Sequence, residues 1–274
     1  MDISFQSLII FIIITMAYFV IKPKLTLDIL ETPEKYSNFY YKNLTNLAFY
    51  LAFVVTTQLI LNMIFLKNKC SGSLDKNIGA ALFFTFIPWF LIFGIMVAVL
   101  ITFPGFKSAF SDVIGYYVVA GGANDIFSSI LMGTDLNEMI EKTENVATKN
   151  ELTQAAEAIV KICGNKSILI NQMNPDNFLD IWNVLRPLMK NDSFDNREIK
   201  EKLLNLVTLK DNIGEAFWYI YTSILVSSIV YYNLEMRGCV KSVEQIKSEH
   251  DDYIKKQEEI KKKDEINNSV TYTT

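Results

Sequence analysis

Apolar positions along this chain gather into four long blocks, and between the third and fourth the pattern changes to the one-faced rhythm of soluble helices. Residues 5–21 form the first block, almost unbroken from Leu8 to Ile14 and closed by Lys22, Pro23 and Lys24. That is about the length one helix needs to cross a bilayer. A cleaved signal peptide is the rival reading. Asp2 stands where a basic start would be expected, and no small-x-small cleavage site follows, so an uncleaved anchor is the reading taken. Residues 44–66 make the second block, interrupted by Thr56, Thr57, Gln58 and Asn62. Gln58 and Asn62 lie four apart on one helical face, and polar side chains in hydrocarbon turn toward protein or water, which means helix packing or, more sharply, a pore lining. The third block, residues 78–103, carries no charge; Pro88 inside it predicts a kink, Gly94 and Ala98 form a small-xxx-small step, and Pro104-Gly105 ends it. The fourth, residues 213–234, is entered through Gly214 and Glu215 and has aromatic residues at both edges, as headgroup zones favour. Ser223 and Ser227, at i and i+4, offer a close-packing face there.

Residues 104–133 are too polar and glycine-rich for a good span. They read as an interfacial or re-entrant segment with Phe106, Phe110, Tyr116 and Tyr117 at the headgroup level. A fifth span through this stretch would reverse the side of everything after it. From residue 134 to 212 caps recur before apolar faces: Thr134 and Asn150 open two helices, Asn174 with Pro175 a third, and Asp195 a fourth. The faces are Phe178, Ile181, Leu185 and Leu188, then Ile199, Leu203, Leu206 and Leu209. The tail after Leu234 is dense in mixed charge and predicts a solvated single helix; the seam Cys239, Ile246, Tyr253 and Ile260 has a mostly polar companion seam and makes no strong coiled coil. The whole pattern predicts an all-α, polytopic membrane protein with about four transmembrane helices. Its parts are a membrane region over residues 1–103, the interfacial segment 104–133, a small helical extramembrane domain 134–212, the last span 213–234 and a charged tail 235–274.

Composition adds little to this and excludes much. Half of the 274 residues are apolar and the mean hydropathy is +0.21, high for one soluble domain. Acids (30) and bases (26) are mixed, with no basic stripe for nucleic acid. Cys70, Cys163 and Cys239 stand apart, so neither a disulfide framework nor a zinc site is expected, and His250, the single histidine, sits in the charged tail. No GxSxG, HExxH or glycine-rich phosphate loop occurs, so no enzyme, metal or cofactor is expected. Asp112 and Asp125 are the one carboxylate pair that could share a proton or a cation. Sequons occur at Asn43, Asn165, Asn191 and Asn267. Basic residues divide evenly between the two sides: Lys22, Lys24, Lys35, Lys42, Lys107 and Lys210 against Lys67, Lys69, Lys76, Arg237, Lys241 and Lys247. The positive-inside rule therefore gives no orientation.

The stretch FPGFKSAFSDVIGYYVV, residues 103–119, resembles a segment of membrane proteins of the nucleocytoplasmic large DNA viruses, in which an FPGW-type turn is followed by a serine-containing loop and a GY pair. Phe103, Pro104 and Gly105 match the turn, Ser111 the loop, and Gly115 and Tyr116 the closing pair. Phe106 stands where tryptophan is expected and Ala109 where proline is expected. The resemblance covers under a tenth of the chain and implies a virion protein of the internal lipid layer, with a capsid or scaffold protein as partner.

Three functions compete. The leading one is a structural protein that sits in the lipid bilayer and meets a protein partner through its helical domain. The second is a small oligomeric channel using Gln58, Asn62, Ser223 and Ser227. The third is a membrane enzyme built on Asp112 and Asp125.

Overall fold

The computed structural model describes residues 3–70, 77–131, 166–190, 192–239 and 243–269. It is all-helical: among these residues the only strand-like pairing is one isolated antiparallel bridge between Leu131 and Met189. Helix α1 (Ile3–Ile21) is followed by the single turn α2 (Leu27–Leu30), the long α3 (Pro33–Lys69) and α4 (Ile78–Thr102). A 3-10 turn, Pro104–Lys107, and a π turn, Ser111–Gly115, lead into α5 (Tyr116–Ile130). Then come α6 (Phe178–Leu185), α7 (Arg197–Met236) and α8 (Val243–Ser269).

Length decides which helices cross a membrane. Three described helices are long and apolar enough: Pro33–Lys69, Ile78–Thr102 and Arg197–Met236, while the apolar part of α1, Phe5–Ile21, is shorter and packs along α3 and α7. At 1.5 Å per residue, α4 is about 37 Å long and matches a hydrocarbon core of ~30 Å with a margin. By the same rise α7, with 40 residues, is about 60 Å long, so roughly half of it lies outside hydrocarbon. The bundle turns Phe49, Phe53, Phe83, Phe86, Phe90, Ile95 and Ile224 outward. Exposed apolar area on that scale fits a lipid-facing surface.

Several boundaries differ from the sequence reading, each for a local reason. The helix that carries the second apolar block starts at Pro33, in the first helical position, about three turns before residue 44. The boundary drawn at 212 falls inside α7, since nothing between Arg197 and Met236 breaks the backbone ladder and Gly214 is tolerated within it. Asn196 rather than Asp195 caps α7, its Oδ1 accepting from the Ile199 N–H at 3.1 Å. Asn174 and Pro175 form a turn instead of opening a helix: Asn174 Oδ1 accepts from the N–H groups of Asp176 and Asn177, and α6 starts at Phe178. Pro88 does not break α4; a π turn, Trp89–Phe93, follows it and absorbs the missing donor. The helices expected to open at Thr134 and Asn150 lie outside the described residues.

Two apolar cores result. One joins Leu25, Leu27, Val119, Ala123, Phe127, Phe178, Trp182, Leu185, Leu203, Leu204 and Val207. The described residues of the region expected to form a domain over 134–212 share this core with α2 and α5. The other core fills the bundle around Phe11, Tyr50, Trp89, Phe93, Tyr219, Val226 and Leu234. Helix α7 runs through both. At the bundle's far end Cys70 and Cys239 form a disulfide, which corrects the expectation that the cysteines stand alone. A separation of 169 residues hid the pair, because only the packing of α3 on α7 brings the two ends together.

Candidate functional site

Between the two cores lies a layer of charge, and its parts come from three places where the chain leaves or enters the bundle. Lys22 ends α1, Lys107 ends the turn after α4, and Asp211 and Glu215 stand one turn apart on α7. Lys22 Nζ donates to Glu215 Oε2 at 3.0 Å and to Asn212 Oδ1 at 2.9 Å. Lys107 Nζ donates to Asp211 Oδ2 at 2.9 Å and lies 3.1 Å from Glu215 Oε2. Tyr219, one turn further along α7, donates its hydroxyl to Glu215 Oε1 at 2.7 Å. Burial alone would push the Lys107 ammonium down, but the carboxylates of Glu215 and Asp211 outweigh it and hold it above the ordinary lysine range. Two cations and two carboxylates close this network with no net charge.

The segment singled out by its FPG turn and GY pair supplies the other half of the layer. Its π turn crosses α7 at van der Waals limits. A methyl group built on Gly115 would sit 2.6 Å from the Lys210 carbonyl oxygen, and one on Gly214 would sit 2.6 Å from Ser111 Cβ and 2.9 Å from the Lys107 carbonyl oxygen. Only glycine permits that approach, and it puts Lys210 Nζ 2.6 Å from Asp112 Oδ1. Ser111 is buried at the crossing and donates to Asp112 Oδ1, while Asn171 donates to the Asp112 carbonyl. Lys107, Asp112 and Gly115 on one strand of chain thus answer Asp211, Lys210 and Gly214 on the other, with charges reversed.

Aromatic residues flank the crossing on the membrane side. Trp218 Nε1 donates to the Phe106 carbonyl at 2.8 Å, and Phe110 packs against the rings of Phe217, Trp218 and Tyr221. Phe103, Phe106 and Val113 are exposed, as is Tyr117 at 85 %. That is the arrangement an interfacial segment takes. Tyr116 differs: its hydroxyl pairs with Ser167 Oγ at 2.8 Å inside the domain. Pro104 and Gly105 open the turn at the exposed rim, where a side chain on Gly105 would meet nothing within 4 Å.

Beside the charge layer opens a cavity of about 150 Å³, lined among others by Lys22, Tyr36, Lys107, Asp176, Asp211 and Glu215. Asn43 and Thr208, also on its wall, carry buried oxygens with no hydrogen-bond partner among the described residues, so the cavity offers water both room and polar partners. Tyr36 closes one side by donating its hydroxyl to Asp176 at 2.9 Å.

The polar residues within the spans meet inside the chain. Gln58 exchanges hydrogen bonds with Ser7 of α1, through its Oε1 and, at 3.1 Å, from its Nε2 to the Ser7 carbonyl. Asn62 Nδ2 donates to Thr85 Oγ1 of α4 at 2.9 Å. Ser223 donates to the Ile220 carbonyl of its own helix, and Ser227 is buried with a hydroxyl that has no hydrogen-bond partner among the described residues. Asp112 and Asp125 do not come together: Asp112 pairs with Lys210, and Asp125 is exposed about 20 Å further along the helix, at 1.5 Å per residue. The network of Lys22, Lys107, Asp211 and Glu215 was missed from sequence, where Lys22 and Lys107 counted only as flanking charges, Glu215 as the entry to the fourth block, and Asp211 was not singled out. The available signal was Asp211 and Glu215 at i, i+4 on the edge of a span. Comparison with protein-family models, with curated proteins and with solved structures finds no match to this chain.

Proposed function

We propose that this chain is a structural protein of a lipid bilayer, which holds a folded helical domain rigidly at the membrane surface as a docking post for a protein partner. The observation that supports this most is α7. One unbroken helix shares its apolar face with the domain core above and the bundle core below, and the charge layer clamps it to α1 and to the Pro104–Lys107 turn between them. A domain so fixed transmits load and orientation to the membrane. The pairing of Gln58 with Ser7 and of Asn62 with Thr85 speaks for packing over a water-lined pore. By the resemblance of residues 103–119, the bilayer is the internal membrane of a large DNA virus and the partner a capsid or scaffold protein.

Crosslinking with mass spectrometry on the protein in its native membrane tests the reading. Lysines of the domain, such as Lys166, Lys190 and Lys202, should link reproducibly to one abundant structural protein. Links only between copies of this chain, gathered near the spans, would move the assignment to an oligomeric channel. Turnover of a small molecule by the purified chain at an enzyme-like rate would end it.

A further inference from the structure

The two ends of the bundle differ in redox chemistry, and this settles what the lysine count could not. At one end are the charge layer and the helical domain. At the other, Cys70 closes α3 and Cys239 follows α7, joined as a disulfide. Lys69 prepares that end by donating to the carbonyls of Leu234, Glu235 and Arg237, so the two helix ends are held together by contacts besides the sulfur bridge. Disulfides persist in oxidising compartments and are rare where glutathione and thioredoxin keep thiols reduced.

We infer that the Cys70–Cys239 end, with the whole of α8, faces the oxidising side of the membrane, and that the charge layer and the domain of α2, α5 and α6 face the reducing cytosol. The inference rests on the membrane reading proposed above and names the side on which the partner is met. The bridge forms by thiol–disulfide exchange: the Cys70 and Cys239 thiols lose two protons and two electrons, and an oxidised dithiol carrier of that compartment takes up both and is released as the dithiol. The even split of basic residues is then no conflict, because a rule read from lysine and arginine counts is silent at a tie.

Two reporters in the full-length chain test this, each in a Cys163→Ser background: Asp125→Cys on α5 and Lys256→Cys on α8, both at exposed positions. In sealed microsomes, a membrane-impermeant maleimide should label the Asp125→Cys reporter at once and the Lys256→Cys reporter only after detergent. The opposite pattern, or immediate labelling of both, overturns the orientation. The unsubstituted chain, with its thiols blocked before lysis, should shift in mobility on reduction, and the Cys70→Ser chain should not; no shift in the unsubstituted chain removes the premise. Carbonate extraction separates the two levels of argument, since a chain released from the vesicles overturns the membrane reading itself.

Discussion

Glu215 receives Lys22, Lys107 and Tyr219 at once while 5 % exposed, and a buried carboxylate in that position stabilises the fold only while its partners are present. Removing one member of a buried charge network costs about 3–5 kcal/mol, because the remaining charges stay buried and uncompensated. Glu215→Leu should therefore lower thermal stability in detergent sharply. Adding Lys22→Met, Lys107→Met and Asp211→Leu to it should restore most of the loss, since apolar replacement of a whole network is often neutral. A quadruple variant no better than Glu215→Leu would show that the charges do more than cancel each other. The pH response follows from two groups outside the spans. Lys107 is raised above its ordinary 10.5, so its contribution is complete below that value and is lost as pH rises through the folded value. Glu31 is lowered from 4.5 by the hydrogen bond from Lys200, so its smaller, partly solvated contribution is present above 4.5 and lost as pH falls. Stability should thus show a plateau between these limits, with an acid limb that shrinks in Glu31→Gln when unfolding is followed across pH.

Among the elements, the crossing of the π turn over α7 is set by two glycines, and the remaining glycines provide the control. Gly115→Ala and Gly214→Ala place a methyl group against backbone at 2.6 to 2.9 Å, where nothing flexible can yield, and overpacking of this kind costs about 1–3 kcal/mol. Gly94→Ala and Gly121→Ala sit in helices with open space at Cβ and should be neutral or stabilising by up to about 1 kcal/mol, because alanine favours helix. Equal effects at all four positions, measured by denaturation in detergent, would contradict the crossing geometry. At this scale the sequence was legible where a helix has one strong end signal, as at the Pro104-Gly105 stop, whereas the equally strong start at Pro33 was not read and the block was begun at 44. It misled where signals compete: the Asn174-Pro175 pair looked like a helix start and became a turn. The face read as Ile199, Leu203, Leu206 and Leu209 buries Leu203, Leu204 and Val207 and leaves Leu209 exposed, because α7 also has to present Asp211 and Glu215 to the charge layer.

Across the whole molecule, two cores share one helix, which predicts joint unfolding. Trp182 lies fully buried in the domain core and Trp89 in the bundle core. With the other tryptophans changed to phenylalanine, variants keeping only Trp182 or only Trp89 should report the same transition temperature in one detergent. Clearly separate transitions would mean that α7 bends or frays at the charge layer instead of coupling the halves.

The helical class and three long apolar helices were legible in the sequence alone, because composition and run length are local quantities; the first block was read as a fourth span, and its apolar helix, Phe5–Ile21, is shorter than the other three. Residues 104–133 were read as one interfacial segment, whereas α5 packs Val119, Ala123, Phe127 and Ile130 into the core it shares with α6 and α7. Only the tertiary structure decided the partners of the charges, the disulfide and the true extent of the domain. Each of these joins residues far apart in the chain, such as Lys107 with Asp211 or Cys70 with Cys239. Such pairs depend on which faces the helices turn to one another, and that is fixed by packing the whole bundle at once.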